Sequence, residues 1–239
     1  MSGPELVISG TVWASKHWYA YNGQTYPTVT TLLKTLNKPA LVGWAAKAVA
    51  EYAAKNALTV AAIAEEDEAA AVDLLKGAPW RERDKAASLG ARVHAIAASG
   101  GIPSEDEAPY VDQWRKFLED TGADVIAQEQ IVVNTVVGYG GTADLILKTR
   151  QGEHVLLDIK TGKTVADGNG VVYPEIRLQL NAYAAADVGL PVTIDRAAVL
   201  HIQRDGYDVH PVALDLAPLL PHLLAVAEFM GLTETGGSE

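Results

Sequence analysis

Three short patterns in the middle of the chain carry side chains that could do chemistry. Leu156-Leu157-Asp158-Ile159-Lys160 reads as a strand. Alternate side chains of a strand share a face, so Asp158 and Lys160 point together while Leu157 and Ile159 turn into packing. A carboxylate and an ammonium on an apolar strand are costly to bury unless paired or bound to something; the other reading is a solvent-facing ion pair on an edge strand. Upstream, the apolar run Gly140–Leu147 contains a lone Asp144. With the two strands adjacent and antiparallel, the turn at Gln151-Gly152 brings Asp144 near Asp158. Two carboxylates held close repel, and a divalent cation settles them. Gly140 and Gly141 either let a backbone or a phosphate approach closely or mark a bulge. Downstream, Gln179 and Tyr183 stand at i and i+4 on one helix face, where Tyr183 either joins the site or anchors the helix to the core.

Composition limits what such a site can hold. The chain has 239 residues, 49% of them hydrophobic, enough for one packed core with an extra helical lobe. It has no cysteine, which excludes disulfides, thiolate zinc sites and cysteine-held iron–sulfur clusters. Asp, Glu, His and backbone carbonyls remain, and these suit hard cations. The opening MSGPELVISG lacks the basic and apolar regions of a signal peptide, and no run of about 20 apolar residues is free of charge. These features predict no membrane span and a cytoplasmic location. The net charge of −11 runs against binding a polyanion, which favours basic faces. Acid clusters at Glu65–Glu68 and Glu105–Glu107 account for part of it.

The elements that must position these residues are legible from periodicity and turn signals. Asn22-Gly23 between Trp18–Tyr21 and Gln24–Tyr26 reads as a hairpin turn. Helices are expected over Val29–Leu36, Ala40–Lys55, Val60–Lys76, Trp80–Ala98 and Ala108–Asp120. Three strands follow, over Val125–Asn134, Gly138–Lys148 and His154–Thr161. A helix from Pro174 to Val188 comes next, then a strand pair over Ala197–Gln203 and Asp208–Val212, and a last helix over Leu216–Met230. This order predicts an α/β fold, a mixed central sheet flanked by helices, with an α-helical N-terminal lobe. The expected division is 1–78 for the hairpin and lobe, 79–232 for the core, and 233–239 for a flexible tail.

Gly-x-x-Asp at 141–144, Asp-x-Lys at 158–160 and Gln-x-x-x-Tyr at 179–183 resemble, in this order and on these elements, the RecB-type exonuclease branch of the PD-(D/E)XK nuclease superfamily. Gly90-Ala91-Arg92-Val93-His94 fits that branch's upstream helical histidine, so the resemblance covers about Gly90 to Tyr183. Pro39–Trp44 looks like phage-encoded members. Ala143 stands where the family's name places proline.

The resemblance implies a restriction-endonuclease-like αβββαβ core and metal-dependent hydrolysis of DNA, exonucleolytic at linear ends, in recombination, repair or phage DNA processing. Asp144, Asp158, the Ile159 carbonyl and His94 would hold Mg²⁺ or Mn²⁺, with no iron–sulfur cluster. The catalytic set would be Asp144, Asp158 and Lys160, with Lys160 orienting or deprotonating water. Gln179 and Tyr183 would position DNA or Lys160. Glu129 is a candidate outer-shell acid or second-metal ligand, or simply a solvated glutamate. A recombination partner protein and a homo-oligomer are within what the resemblance allows, in the host cytoplasm if the protein is phage-encoded. Arg81, Arg83, Lys85, Arg92, Lys163 and Arg177 are candidates for the DNA path.

Other classes are weaker. Gly162-Lys163-Thr164 suggests a phosphate loop, but Leu157 stands where a Walker motif needs glycine. Neither His-Glu-x-x-His nor Gly-x-Ser-x-Gly occurs. His17, His154, His201, His210 and His222 are scattered and read as polar surface or satisfied core. The alternatives to an exonuclease are a non-catalytic DNA-end-binding or assembly protein on the same fold, and a structure-specific endonuclease such as a junction resolvase.

Overall fold

The Asn22-Gly23 turn shows how directly sequence becomes backbone here. Asn22 (φ 49°) and Gly23 (φ 78°) are both left-handed, as a two-residue hairpin turn requires. They join β2 (Trp18–Tyr21) to β3 (Gln24–Pro27), and β1 (Trp13–Ala14) adds a third strand. This computed structural model describes residues 13–14, 18–161 and 164–233. His17, Gly162, Lys163 and the tail from 234 onward lie outside the described residues, while Thr233, placed in the expected tail, is buried.

Thr28 caps α1 (Val29–Leu32) by accepting from the Thr31 amide, and a 3₁₀ turn, Leu33–Thr35, replaces the rest of the expected helix. Four helices follow: α2 (Pro39–Lys55), α3 (Ala57–Glu66), α4 (Glu68–Lys76) and α5 (Ala78–Ser99). The single helix expected over Val60–Lys76 is therefore two. Asp67 leaves the helical region (φ −153°, ψ 99°) and its carboxylate accepts from the Ala70 amide, starting α4.

The rest runs α6 (Ala108–Thr121), β4 (Asp124–Asn134), β5 (Tyr139–Lys148), β6 (His154–Lys160), α7 (Pro174–Ala184), β7 (Arg196–Ile202), β8 (Tyr207–Val212) and α8 (Leu220–Phe229). The expected α/β fold with a mixed central sheet is the one observed. Strand order is β4-β5-β6-β7-β8, with β6 and β7 parallel and the other pairs antiparallel. A crossover helix is needed to connect parallel neighbours, and α7 is that helix.

Alternation along the strands feeds two cores. Leu156, Ala197 and Val199 pack with Ile176, Leu178 and Leu180 of α7 and with Leu220 and Ala227 of α8. Leu145, Leu147, Leu157, Ile159, Ala198, Leu200 and Ile202 pack with Trp114 and Phe117 of α6. Helix α7 stops at Ala184, short of the expected Val188, because Val188 exchanges backbone hydrogen bonds with Val133.

Among the described residues, those up to Leu36 and those from Val93 form one compact unit, and Asn37–Arg92 form another. The boundaries differ from the expected 1–78 and 79–232. The hairpin goes with the sheet because Tyr19 and Tyr26 pack on Val133. The second boundary falls inside α5. The unit Asn37–Arg92 is all helix; α3 has no buried residue, and Val42, Leu58 and Trp80 are exposed.

Candidate functional site

The candidate residues gather where β5 and β6 part. Their ladder is short, running from Lys148↔His154 to Leu145↔Leu157. One step further in the same register Asp144 and Asp158 would face each other, but the pairing has ended. Each strand continues on its outer side, β5 with β4 as far as Tyr139 and β6 with β7 as far as Lys160. The two strands therefore fork, and the fork leaves the Ile159 backbone without a β5 partner.

Side chains complete it. The Ile159 amide donates to Asp144 Oδ2 at 2.8 Å, and the Ile159 carbonyl accepts from His94 Nε2 at 2.8 Å. A carbonyl can only accept, so His94 carries its proton on Nε2 in this arrangement. When the ring is neutral, its Nδ1 presents a lone pair 3.6 Å from Asp144 Oδ2. Two electron-rich atoms at that distance suit a cation between them.

Asp158 is buried and its neighbours are fully specified. Lys160 Nζ lies 2.5 Å from Oδ2, and Gln179 Nε2 donates to Oδ1 at 3.1 Å and to Tyr183 Oη at 3.2 Å. Oδ2 is ion-paired but has no hydrogen bond of good geometry. Burial, opposed by Lys160 and reinforced by the charge of Asp144, pushes the Asp158 carboxyl up to about 6. Burial also raises Asp144, against the pull of His94 and Lys160. Burial acts to lower Lys160, but the Asp158 and Asp144 carboxylates outweigh it and hold the ammonium above its ordinary range. Tyr183 is raised by burial and then by the same two acids, so it stays a neutral phenol.

Glu129, the residue least marked by its sequence context, lies in the same place. In the β4–β5 register Gln128 pairs Leu145 and Gln130 pairs Ala143, so Glu129 stands opposite Asp144, yet those two do not pair. Its φ of 46° is left-handed, a sparsely populated and strained region for a glutamate. Ligand atoms of His94, Glu129 and Asp144 all lie within 4.8 Å of one another. Asp158 is not one of that trio, and its oxygens are engaged by Lys160 and Gln179.

This donor set fits a divalent cation. It offers the Asp144 and Glu129 carboxylates, an imidazole nitrogen, a backbone carbonyl, and beside them the buried Asp158 carboxylate that Lys160 and Gln179 hold. For the Ile159 carbonyl to be a ligand, the His94 ring must give up its hydrogen bond there.

The two glycines do something the sequence did not separate. A Cβ on Gly141 would sit 2.1 Å from Tyr183 Cε1, and one on Gly140 would sit 2.6 Å from Tyr19 Cγ. They make room for aromatic rings, and the β4–β5 register runs through both without a shift. Tyr19 Oη also bonds Thr142 Oγ1 at 2.8 Å, which ties the N-terminal hairpin to the strand that carries Asp144.

Of the candidates for a DNA path, Arg177 lies on α7. Arg81, Arg83, Lys85 and Arg92 belong to the unit Asn37–Arg92. Arg81 covers the Tyr52 ring and Arg83 the Trp80 ring, at 4.8 and 4.6 Å. The histidines read as scattered are not all so: His201 and His210 come together with Asp208. The signal was the β7–β8 hairpin register, which places His201 opposite Asp208 and is not fixed by spacing alone.

No protein-family model matches the chain, and no curated protein matches it. Among solved structures, an alkaline exonuclease (LHK-Exo) from Laribacter hongkongensis is similar at 14% identity with a TM-score of 0.37, over 60% of this chain and 93% of its own. The crystal structure of SSO0001 is similar at 14% identity with a TM-score of 0.36, over 74% of this chain and 72% of its own.

Proposed function

We propose that the protein is a Mg²⁺- or Mn²⁺-dependent deoxyribonuclease that hydrolyses phosphodiester bonds of linear DNA from its ends. The observation that carries this reading is the fork. It brings Asp144, Asp158, Lys160 and His94 together at the one place where β6 has an unpaired flank on the β5 side.

Asp144, Asp158, the Ile159 carbonyl and His94 would hold the cation, with Glu129 as a further acid at its edge. The cation's contribution when bound is to polarise the scissile phosphate and lower the pKa of water. Lys160 stays protonated beside Asp158, where its ammonium offsets the charge that builds on the attacked phosphate and orients the water. Gln179 fixes the Asp158 carboxylate through Oδ1, leaving Oδ2 toward Lys160. Tyr183 accepts from Gln179, and its ring fills the space over Gly141. The place in recombination, repair or phage DNA processing, and any recombination partner, follow only from the resemblance.

The test is cleavage of end-labelled linear and closed circular DNA with Mg²⁺, Mn²⁺ or EDTA, by wild type, Asp158→Ala and Lys160→Ala. Loss of linear DNA only with a divalent cation, and only in the wild type, is expected. Cutting of closed circles would replace the exonuclease with an endonuclease. Binding of DNA ends without cutting would leave an end-binding protein, and equal cutting by both variants would refute the mechanism.

A further inference from the structure

A second cluster of metal-ligating side chains lies on the β7–β8 hairpin, and the reaction proposed above uses none of it. On β7, Ala197 and Val199 face the core under α7 and α8, so His201 faces the same side. His201 is the register partner of Asp208, and His210 is the partner of Val199. All three side chains therefore leave one face of the hairpin. Their ligand atoms lie within 4.8 Å of one another, with the two rings tilted by 42° and 6.1 Å apart.

Three further features mark this as more than a chance grouping. His201 is only 5% exposed, so one imidazole is already held inside the fold. His210 Nε2 is buried with no hydrogen-bond partner, and an unsatisfied buried polar atom is costly. Asp208 is oriented from behind, since its Oδ2 accepts from Gln203 Nε2 at 3.0 Å. Outer partners of this kind fix the direction of a ligating carboxylate.

We propose that His201, Asp208 and His210 bind a borderline transition-metal cation, best matched by Zn²⁺, with water completing the coordination. Two imidazoles and one carboxylate disfavour Mg²⁺ and Ca²⁺, which take oxygen, and suit zinc and its neighbours. Donors about 2.0–2.2 Å from a zinc ion stand roughly 3.3 Å apart around it, so small side-chain rotations close the cluster. Strand β8 is the sheet edge and pairs with β7 alone. An ion held by one β7 ligand and two β8 ligands staples that edge in place. No ligand is shared with the fork, although His201 is the β7 register partner of Lys160, so metal binding here is tested apart from cleavage.

The experiment uses chelator-stripped full-length protein carrying His94→Gln and Asp144→Asn, which removes the fork as a competing site. Zn²⁺ binding is followed by calorimetry, and Co²⁺ by its visible absorption. One ion per chain is expected, with a rise in melting temperature on adding Zn²⁺. Adding Asp208→Ala or His210→Gln should weaken binding by more than about tenfold and remove the thermal shift. Asp208 is exposed, so its variant should fold, and circular dichroism without metal checks that it does. Absence of binding in the stripped protein overturns the proposal. So does binding that persists unchanged in both variants.

Discussion

The two ends of the β5–β6 pair divide stability from chemistry. At the paired end, Leu145, Ile146, Leu147, Leu156 and Leu157 are almost wholly buried on both faces and the backbone ladder is complete. At the forked end, a few residues along the same strands, buried Asp158 stands with partly buried Asp144 and Lys160, and side chains stand in for the ladder. Apolar burial stabilises the first end. The second end buries charge, which costs free energy that the rest of the sheet offsets. One strand pair thus holds a strained polar site rigidly because its other half is an ordinary core.

The largest effect is expected from damaging the paired end. Leu156→Ala removes a fully buried side chain from the core under α7, and should destabilise the protein by about 2–5 kcal/mol. If the division is real, cleavage per folded molecule at low temperature is unchanged. Urea unfolding together with a single-turnover assay measures both, and a proportional loss of activity would break the comparison.

Damage at the fork should do the reverse. Lys160→Ala is expected to lower cleavage by roughly 10²–10³-fold, as for other donors aimed at developing charge. Its stability change should be smaller, because the Lys160 side chain is about a third exposed and Asp158, whose carboxyl is already raised to about 6, can take up a proton when the ammonium is lost. Equal losses of activity in Lys160→Ala and Leu156→Ala at matched folded fractions would erase the distinction.

Much of the paired end was legible in the sequence, because alternation and turn residues act locally. Asn22-Gly23, Gln151-Gly152 and the apolar runs of β5 and β6 each state their own conformation. The fork was not legible. Asp144 and Asp158 could be placed near each other, but where a ladder stops depends on how β4 and β7 hold the outer edges. The glycines show the same limit, since only the folded chain brings Tyr19 over Gly140 and Tyr183 over Gly141. Charge behaves similarly. The unit Asn37–Arg92 carries eight basic and eight acidic residues, so the net −11 belongs to the rest of the chain and the Glu65–Glu68 cluster is locally balanced.

The pH dependence of stability sharpens the comparison further. In metal-free protein the Asp158 carboxyl is raised in the folded state to about 6 from an ordinary 3.8. The folded state therefore holds its proton more tightly than the unfolded state. Stability contributed by that proton is present below pH 3.8 and is lost as pH rises through about 6. At neutral pH the charged side chain should cost on the order of 1–3 kcal/mol, the attraction of Lys160 being already contained in the raised value. Asp158→Asn should thus match wild type near pH 4 and exceed its stability at pH 7.5 in EDTA. A difference that does not vary with pH would mean the burial of Asp158 is fully compensated.

The smallest effect isolates strain from ligation at Glu129. Its left-handed backbone (φ 46°) is unusual for glutamate, and glycine adopts it freely. Relief of such a conformation contributes about 1 kcal/mol. Glu129→Gly should therefore melt higher than Glu129→Gln in EDTA, since both lose the charge and only one loses the strain. With Mn²⁺ added, both should show a smaller rise in melting temperature than wild type, because the carboxylate opposite Asp144 is gone from each. Equal melting of the two variants in EDTA would remove the strain. An undiminished Mn²⁺ effect in both would place Glu129 outside the metal's reach and leave His94 and Asp144 as the cluster's ligands. Strain without ligation would make Glu129 a by-product of the fork; strain together with ligation would mean that the β4 backbone is bent to deliver a carboxylate to it.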